Sequence, residues 1–285
     1  MSLANGFIDV LRDWKRIAEK PSDAGAGRLA LWSTHARLKL ALLAGSGATE
    51  ADVLGFRVRH LGLGSLVHLF REIFVGRVYD VGLESRAPRI IDCGSNIGMS
   101  ILFFKNLYPD ARILGFEPHP AVYDTLARNV ETNALHDVSL QRKALGGEPG
   151  ALDFYVKQGD NGALDMGLFA GSGEATMIKV ECETLSPYID GPVDLLKLDI
   201  EGAEEMVLDE LARADRLRHV RNIVCEYHHH IDPSTDRLSR TLAILESAGF
   251  GYQVSAYLGR PPGRNLYQDV IIYAYRKRVH GPVVA

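Results

Sequence analysis

The stretch Asp92-Cys93-Gly94-Ser95-Asn96-Ile97-Gly98 lies between an apolar run, residues 89–91, and a segment with helical spacing, residues 97–107. A short apolar run, a glycine-containing turn and a helix in succession are typical of a parallel α/β sheet. Gly94 permits a sharp turn and a close approach of the backbone to a ligand. Ligands of such sheets bind at the carboxyl ends of the strands, and free amide groups at a helix start favour a negative group. We therefore predict a cofactor site at residues 92–98.

The spacing of the glycines in this loop separates two kinds of cofactor. A dinucleotide-binding fingerprint requires Gly-x-Gly-x-x-Gly, whereas Asn96 and Met99 stand where its second and third glycines fall. The charge of Asp92 is unfavourable beside a pyrophosphate and favourable beside a cationic amine. Glu117 ends the next apolar run, where a carboxylate accepts hydrogen bonds from vicinal ribose hydroxyls. A turn without a ligand, and a helix N-terminal charge at Glu117, are the alternative interpretations.

A second group of carboxylates follows the apolar run at residues 193–198. Asp199 falls at its carboxyl end, Glu201 comes two residues later, and Lys197 within the run is expected to pair with a carboxylate or to reach one end. A carboxylate near a sulfonium stabilises its positive charge, and a second one orients or deprotonates an acceptor hydroxyl. A helix start with Asp199 as its cap and an acidic first turn explains the same residues without a ligand.

The end of the following apolar run reads Cys225-Glu226-Tyr227-His228-His229-His230. In an extended segment His228 and His230 share a face, so that together with Glu226 or Asp199 they are candidate metal ligands. Because this ligand set is incomplete, we do not favour a metal site. A general base role for one of the histidines is an alternative of equal weight to metal binding.

Short apolar runs alternate with helical stretches from residue 88 onward, which predicts a mostly parallel sheet covered on both faces. We divide the chain into a mainly helical N-terminal extension, residues 1–87, with one short strand at 53–60 and a helix at 65–74, and a main domain, residues 88–285. The last two strands, 252–257 and 270–275, are too close for a helix between them and are expected to form an antiparallel pair at one edge.

The composition excludes several classes of protein. With 46% hydrophobic and 24% charged residues and a net charge of −4, the chain is an ordinary globular protein and lacks the basic character of a nucleic-acid binder. The N-terminus carries charges where a signal peptide is apolar, and no segment is long enough to span a bilayer. The three cysteines are expected to be buried hydrophobes, which favours a reducing, cytoplasmic location.

These stretches together resemble the FkbM family of methyltransferases. The resemblance covers roughly residues 53–275, and the stretch from Asp199 to Glu204 is its most specific part. The other matching segments are Ile90 to Gly98, Gly115-Phe116-Glu117-Pro118, Lys143-Ala144-Leu145-Gly146, Leu196-Lys197-Leu198 and Phe70-Arg71-Glu72-Ile73-Phe74.

The resemblance implies the class I methyltransferase fold, a Rossmann-like seven-stranded sheet with one antiparallel strand in its edge region. It also implies S-adenosylmethionine as the methyl donor, with S-adenosylhomocysteine as its product, and as acceptor an oxygen of a sugar, a polyketide or a similar natural product. By position, it implies contacts from Asp92, Gly94 and Asn96 to the methionine part, from Glu117 to the ribose, from Ala144 and Leu145 to the adenine, and from Asp199 near the methyl group. We add Ser95, Gly98 and Pro118 to the expected cofactor site.

An alcohol acceptor must lose a proton, so we expect Asp199, Glu201 and His228 to surround its oxygen. The competing hypotheses are an NAD-dependent oxidoreductase that uses Glu117 on the ribose and a cofactor-binding protein without catalysis. A small-molecule acceptor is expected as the partner, without nucleic acid or membrane, and the N-terminal extension is a possible homodimer contact. The loop at 159–173 is expected to shape the acceptor pocket.

Overall fold

A computed structural model describes residues 13–15, 17–18, 27–157, 166–167, 175–232, 234–256 and 267–277. Most of the 159–173 loop lies outside the described residues, as does most of the stretch 1–26 of the predicted N-terminal extension. None of the helices in the described part combines the length and apolar character that crossing a bilayer requires.

The central element is a seven-stranded sheet at whose carboxyl edge the predicted site residues fall. Its strands are β3 Arg89–Cys93, β4 Arg112–Phe116, β5 Val138–Gln141, β10 Val193–Leu198, β11 Val220–His229, β12 Phe250–Ala256 and β13 Gln268–Arg276. Their spatial order is β12, β13, β11, β10, β3, β4 and β5.

All neighbouring strands in this sheet are parallel except those that pair with β13, which is antiparallel to both β11 and β12. The predicted sheet with one antiparallel strand near its edge is therefore confirmed, and the chain has the class I methyltransferase fold. The register places Lys197 of β10 beside Asp92 of β3 and beside Val224 of β11, so these three side chains share one face.

Helices cover both faces because successive residues of each strand point to opposite sides. These helices are α3 Met99–Leu107, α4 Pro120–Thr132, α5 Glu204–Arg213 and α6 Leu238–Ser247. Ile90 and Leu195 pack with α3, α4 and the N-terminal residues, whereas Ile91 and Leu196 pack on the other face with α5 and α6.

The N-terminal residues contain α1 (Arg28–Leu43), a hairpin of β1 (Glu50–Val53) and β2 (Phe56–Arg59), α2 (Leu63–Leu69) and a π-helical segment, Phe70–Gly76. The strand predicted at 53–60 is present only in part, as β2, and a second strand precedes it. The chain reverses at Leu54 and Gly55, both with positive φ, and β2 pairs back on β1. The hairpin is fixed to α4 by the amide of Asn129, which accepts from the amide of Arg59 at 2.7 Å and donates to its carbonyl at 3.0 Å.

A separate four-stranded sheet contains the strands that flank the 159–173 loop. Its order is β6, β9, β7 and β8, with bounds β6 Ala144–Leu145, β7 Gly150–Lys157, β8 Met166–Gly167 and β9 Ala175–Glu183. Residues 144–145 form the short strand β6 because they pair with Cys182 and Glu183 of β9. All three cysteines are free thiols and buried, as predicted.

Candidate active site

One cavity of about 360 Å³ opens at the carboxyl edge of the large sheet. Every predicted site residue lines it except Asp92 and Gly98. The predicted residues that line it are Gly94, Ser95, Asn96, Glu117, Pro118, Ala144, Leu145, Asp199, Glu201 and His228.

The glycine loop touches the carboxylate segment directly. The backbone of Gly94 has φ +82°, and a Cβ there would lie 1.8 Å from the carbonyl oxygen of Asp199. Gly98 has φ +94°, and a Cβ there would lie 2.8 Å from the Cδ1 of Leu126 on α4. Gly94 therefore lets β3 and β10 meet beneath the cavity, whereas Gly98 serves the packing of α3 on α4.

The backbone amides of the glycine loop already have hydrogen-bond partners, whereas we expected free amide groups at the helix start to favour a negative group. Those of Gly94 and Ser95 donate to the carbonyl of Phe116 at 3.0 and 2.8 Å. The amide of Asn96 donates to the carboxylate of Glu117 at 3.0 Å, and that of Gly98 to the carbonyl of Ser95. These donors are used because the loop folds back on the end of β4. A diphosphate placed here would meet the Glu117 carboxylate instead of free N–H groups.

Glu117 is held as a two-sided acceptor at the end of β4. Its Oε2 accepts from the amide of Asn96 at 3.0 Å, and its Oε1 from the amide of His119 at 2.9 Å. A carboxylate oxygen has two lone pairs, so each oxygen retains one acceptor position. Burial raises the pKa of Glu117 to about 7, although these two hydrogen bonds favour the ionised form. This geometry suits two neighbouring hydroxyl groups.

A buried chain of charges connects β3, β10 and the N-terminal residues. The ammonium of Lys197 lies 3.2 Å from Asp92 and 3.3 Å from Asp199, and the hydroxyl of Tyr79 donates to Asp199 at 3.0 Å. Ser100 also donates to Asp92, at 2.6 Å. Burial opposes the charge of Lys197, but the two carboxylates hold its pKa above the usual value. Asp92, fully buried and turned toward these donors, therefore lies beneath the cavity.

Asp199 stays ionised within this series of charged side chains. Burial raises its pKa, but the neighbouring Lys197 ammonium and the imidazole of His228 lower it by more, so the net shift is downward. Both hydrogen-bonded partners, Lys197 and Tyr79, lie on the Oδ2 side, whereas Oδ1 faces His228 at 3.9 Å. Asp199 therefore presents a negative charge to the cavity.

His228 is surrounded by carboxyl groups near the end of β11. Its Nδ1 is 2.8 Å from Oε1 of Glu204, and its Nε2 is 3.3 Å from Oε2 of Glu201. Burial lowers the pKa of His228, but Glu204, Glu201 and Asp199 together raise it well above its usual value. Burial also raises the pKa of Glu201, to about 8. The protonated form of His228 is thus stabilised by the carboxyl groups around it at the cavity wall.

Asp199 does not cap a helix, which was the alternative interpretation of this segment. Glu204 instead holds the turn that precedes α5. Helix α5 begins at Glu204, with Ala203 as its N-cap, so Asp199 is not a cap. Oε1 of Glu204 instead accepts from the amides of Ile200 and Gly202 at 3.2 and 3.0 Å. These bonds hold the segment in which Glu201 adopts φ +54° and turns toward the cavity.

The expected pairing of His228 with His230 does not occur. Strand β11 ends at His229, and His230 adopts φ +57°, which breaks the alternation of an extended chain. His230 lies 2.6 Å from Asp236 at the surface, whereas His228 faces the cavity. Instead, Glu226 and Asp199 lie beside His228.

Several cavity residues were missed by our reading of the sequence. Tyr79 and Glu72 come from the N-terminal residues, and Tyr267 and Asp269 come from the start of β13. Glu204 was noted only as an acidic first-turn residue. Tyr79 lies in irregular backbone without periodicity, and no sequence signal identifies it; the register that places Asp269 opposite His228 was equally hidden.

Residues 92–252, more than half of the chain, match the profile of the family described as "Methyltransferase FkbM domain". The chain belongs to the FkbM methyltransferase family. The resemblance stated from the motifs is thereby confirmed, and membership implies S-adenosylmethionine as methyl donor.

Curated relatives of this FkbM methyltransferase carry names of the same kind. It is 31% identical to "Methyltransferase 1" of Beauveria bassiana (strain ARSEF 2860) over 70% of this chain and 86% of the relative. It is 33% identical to "Methyltransferase sdnD" of Sordaria araneosa over 64% and 81% of the two chains. It is 29% identical to "31-O-demethyl-FK506 methyltransferase FkbM" of Streptomyces tacrolimicus over 69% and 86%.

The residues present fit such a donor. The two remaining acceptor positions of Glu117 match the vicinal hydroxyls of a ribose, and the loop amides are already used, which disfavours a diphosphate. The buried chain of Asp92, Lys197 and Asp199 carries two carboxylates and one ammonium, and its excess negative charge is favourable beside a sulfonium.

Proposed function

We propose that this FkbM methyltransferase transfers a methyl group from S-adenosylmethionine to a hydroxyl group of a small molecule such as a sugar or a polyketide. The observation that carries the proposal is the meeting of His228, Glu201 and Asp199 at the cavity wall, with Nε2 of His228 at 3.3 Å from Glu201 and 3.9 Å from Asp199. A hydroxyl acceptor needs a base within hydrogen-bond reach. The name of the Streptomyces relative, which refers to a 31-O-demethyl compound, supports an oxygen acceptor.

The proposed cofactor site follows the cavity wall from the glycine loop to β6. Glu117 accepts from the ribose hydroxyls, and Gly94, Ser95 and Asn96 form the wall beside the methionine part. Pro118, Ala144 and Leu145 supply the adenine side, together with Phe154. Asp92 and Gly98, which lie outside the cavity lining, support this site from below by holding Lys197 and by packing α3 on α4.

When bound, the donor would supply a methyl group on a positively charged sulfur; the acceptor oxygen would bond to the methyl carbon while the carbon–sulfur bond breaks, and S-adenosylhomocysteine would leave. Asp199 provides a fixed negative charge, because Lys197 and Tyr79 hold its Oδ2. Glu201 takes the proton of the acceptor hydroxyl, and the imidazole of His228, whose Nε2 lies 3.3 Å away, stabilises its carboxylate form. The pKa of about 8 for Glu201 lies close to neutral pH, where a general acid–base group is most effective. Glu204 fixes the imidazole so that Nε2 faces the cavity.

An oxidoreductase that uses NAD is the principal alternative, and the used amides of residues 94–96 argue against it. Isothermal titration with S-adenosylhomocysteine and with NAD separates the two. We expect binding of the first and none of the second, and tight binding of NAD alone would exclude the proposal.

Methyl transfer itself is tested with isotope-labelled donor and a panel of polyhydroxylated and amine acceptors, followed by mass spectrometry. Labelled methyl ethers are the expected product. Asp199→Ala, Glu201→Ala and His228→Ala are expected to lower turnover while donor affinity is followed separately. Normal turnover in all three variants would remove these residues from the chemistry, and methylation of nitrogen alone would contradict the hydroxyl acceptor.

A further inference from the structure

Three side chains on neighbouring elements converge at the cavity wall. Asp199 follows β10, whereas Glu226 and His228 lie two residues apart on β11 and therefore share a face. One ligand-type atom from each lies within 4.8 Å of the other two. Two oxygen donors and one imidazole nitrogen thus surround a common point.

The donors are oriented from behind in the manner of metal ligands. A metal-bound histidine nearly always donates its second ring N–H to a carboxylate or a carbonyl. Nδ1 of His228 lies 2.8 Å from Glu204, which leaves Nε2 toward the cavity. Asp199 is oriented likewise, since its Oδ2 is held by Tyr79 and Lys197 and its Oδ1 faces His228.

Glu226 supplies a second, independent observation. Among the described residues, none donates a hydrogen bond to its carboxyl group, although it lines the cavity between β10 and β13. Burial and three further carboxyl groups, those of Asp199, Glu72 and Asp269, raise the pKa of Glu226, whereas His228 lowers it. In such surroundings the group takes up a proton unless a cation compensates its charge, and a bound metal ion would be such a cation. Lys197 does not serve, because Asp92 and Asp199 already pair with it.

We propose that Asp199, Glu226 and His228 bind a divalent first-row transition-metal ion, whose open positions take an oxygen of the acceptor. The inference rests on the proposed function, because it places the ion where the acceptor binds. Metal–oxygen and metal–imidazole bonds of about 2.0–2.2 Å place two ligands of one ion about 3–4 Å apart. Oδ1 of Asp199 and Nε2 of His228, at 3.9 Å, meet this requirement.

The chemical consequence concerns the acceptor. An oxygen bound to a divalent ion loses its proton more readily, which makes it a nucleophile near neutral pH. Nε2 of His228 then carries the metal in place of a proton, and Glu201, 3.3 Å from that nitrogen, remains as the group that takes the hydroxyl proton. The acceptor class is a hydroxyl with a neighbouring oxygen that completes the coordination.

The test is titration of the untagged full-length chain with Mn²⁺, followed by the electron paramagnetic resonance signal of the free ion, with and without S-adenosylhomocysteine. We expect one ion per chain. Glu226→Gln should weaken Mn²⁺ binding by more than about 100-fold, and Glu204→Gln by about 10–100-fold, the range typical of residues that orient a ligand.

Two controls assign the ion to the cavity. Glu72→Gln removes a cavity carboxyl group that acts on Glu226 electrostatically but is not a ligand, so it should weaken Mn²⁺ binding far less than Glu226→Gln does. His230→Asn removes the second candidate group, His229, His230 and Asp236 at the surface, and should change nothing.

Equal Mn²⁺ affinity in the wild type and in Glu226→Gln, or loss of binding only in His230→Asn, would overturn the proposal. Absence of Mn²⁺ binding to a chain that binds S-adenosylhomocysteine would overturn it as well, and would leave the methyltransferase assignment intact. Absence of S-adenosylhomocysteine binding would instead count against the proposed function.

Discussion

The carboxylate of Glu204 and the Nδ1 atom of His228 lie 2.8 Å apart, and both side chains are almost completely buried. The pair joins the first turn of α5 to the end of β11. Oε1 of Glu204 also accepts from two backbone amides of the 200–202 turn. One carboxylate oxygen therefore fixes both the imidazole and the segment that carries Glu201.

Replacement of Glu204 tests this arrangement. Glu204→Gln keeps an oxygen for the backbone amides but removes the charge that holds His228. We expect the turnover number to fall by about 100-fold or more, the range in which general acid–base catalysis contributes. S-adenosylhomocysteine affinity should stay within about threefold, measured by calorimetry.

The neighbouring residue offers a matched control. Glu205 lies in the same helical turn, is buried and pairs with Arg240 at 3.3 Å. Glu205→Gln should retain turnover. Equal losses in the two variants would show that Glu204 acts only on the stability of α5.

Cofactor affinity should depend on pH through Glu117. Burial raises the pKa of this carboxyl group to about 7, so the acceptor form that ribose hydroxyls require is lost as the pH falls through 7. We expect S-adenosylhomocysteine to bind about tenfold more weakly at pH 6 than at pH 8, as one pKa unit corresponds to a tenfold change. Glu117→Gln should bind weakly at both values, and a pH dependence that survives in this variant would contradict the assignment.

Lys197 should be required for stability. Lys197→Met leaves Asp92, which is fully buried, without its ammonium partner. Breaking a buried pair costs about 3–5 kcal/mol, which equilibrium urea unfolding measures. Lys197→Met combined with Asp92→Asn should recover much of this loss, because no charge is then left unpaired. A single variant as stable as the wild type would show that Asp92 takes up a proton without cost.

Gly94 should not tolerate a side chain. In Gly94→Ala the new Cβ meets the carbonyl of Asp199 at 1.8 Å, and φ is +82°. We expect a loss of more than about 3 kcal/mol in the free energy of unfolding and loss of S-adenosylhomocysteine binding. Gly47→Ala is the control, since nothing lies within 4 Å of its Cβ position and its φ is not in the left-handed region. Normal binding by Gly94→Ala would mean that the loop and β10 separate readily.

Tyr79 should influence catalysis from outside the sheet. Tyr79→Phe removes the hydrogen bond to Asp199 and should lower the turnover number about tenfold, with donor affinity nearly unchanged; loss of a hydrogen bond to a charged group is worth about 1.5–3 kcal/mol. In Tyr108→Phe the lost bond, from the amide of Leu83, lies away from the cavity. That variant should lose stability but not turnover, and the same turnover in both would refute the role of Tyr79.

Strands bounded by polar residues were predictable from the sequence. The bounds of β10 agree with the predicted run at 193–198, because it is a short apolar segment that ends at the charged residue Asp199. The β1–β2 hairpin was not, since one of its two turn residues, Leu54, adopts a left-handed conformation that its residue type does not indicate.

The location of the candidate site was predictable for the same reason, since carboxyl ends of parallel strands share one edge. The sequence did not predict which hydrogen-bond donor meets which acceptor within the site. The glycine loop has the residues of an anion site, but the carbonyl of Phe116 and the carboxylate of Glu117 take its amides. Glu204 reads as an ordinary helix start, and its contact with His228 depends on how α5 packs against β11.

The position of β13 has a consequence for the order of assembly. β12 precedes β13 in the chain, yet β13 lies between β12 and β11. During synthesis β12 therefore has no neighbour to pair with until β13 has emerged and entered the sheet. The same strand carries Asp269 opposite His228. Closure of the sheet and completion of the cavity wall are thus one event, so a chain stalled before residue 268 keeps the glycine loop but lacks this wall.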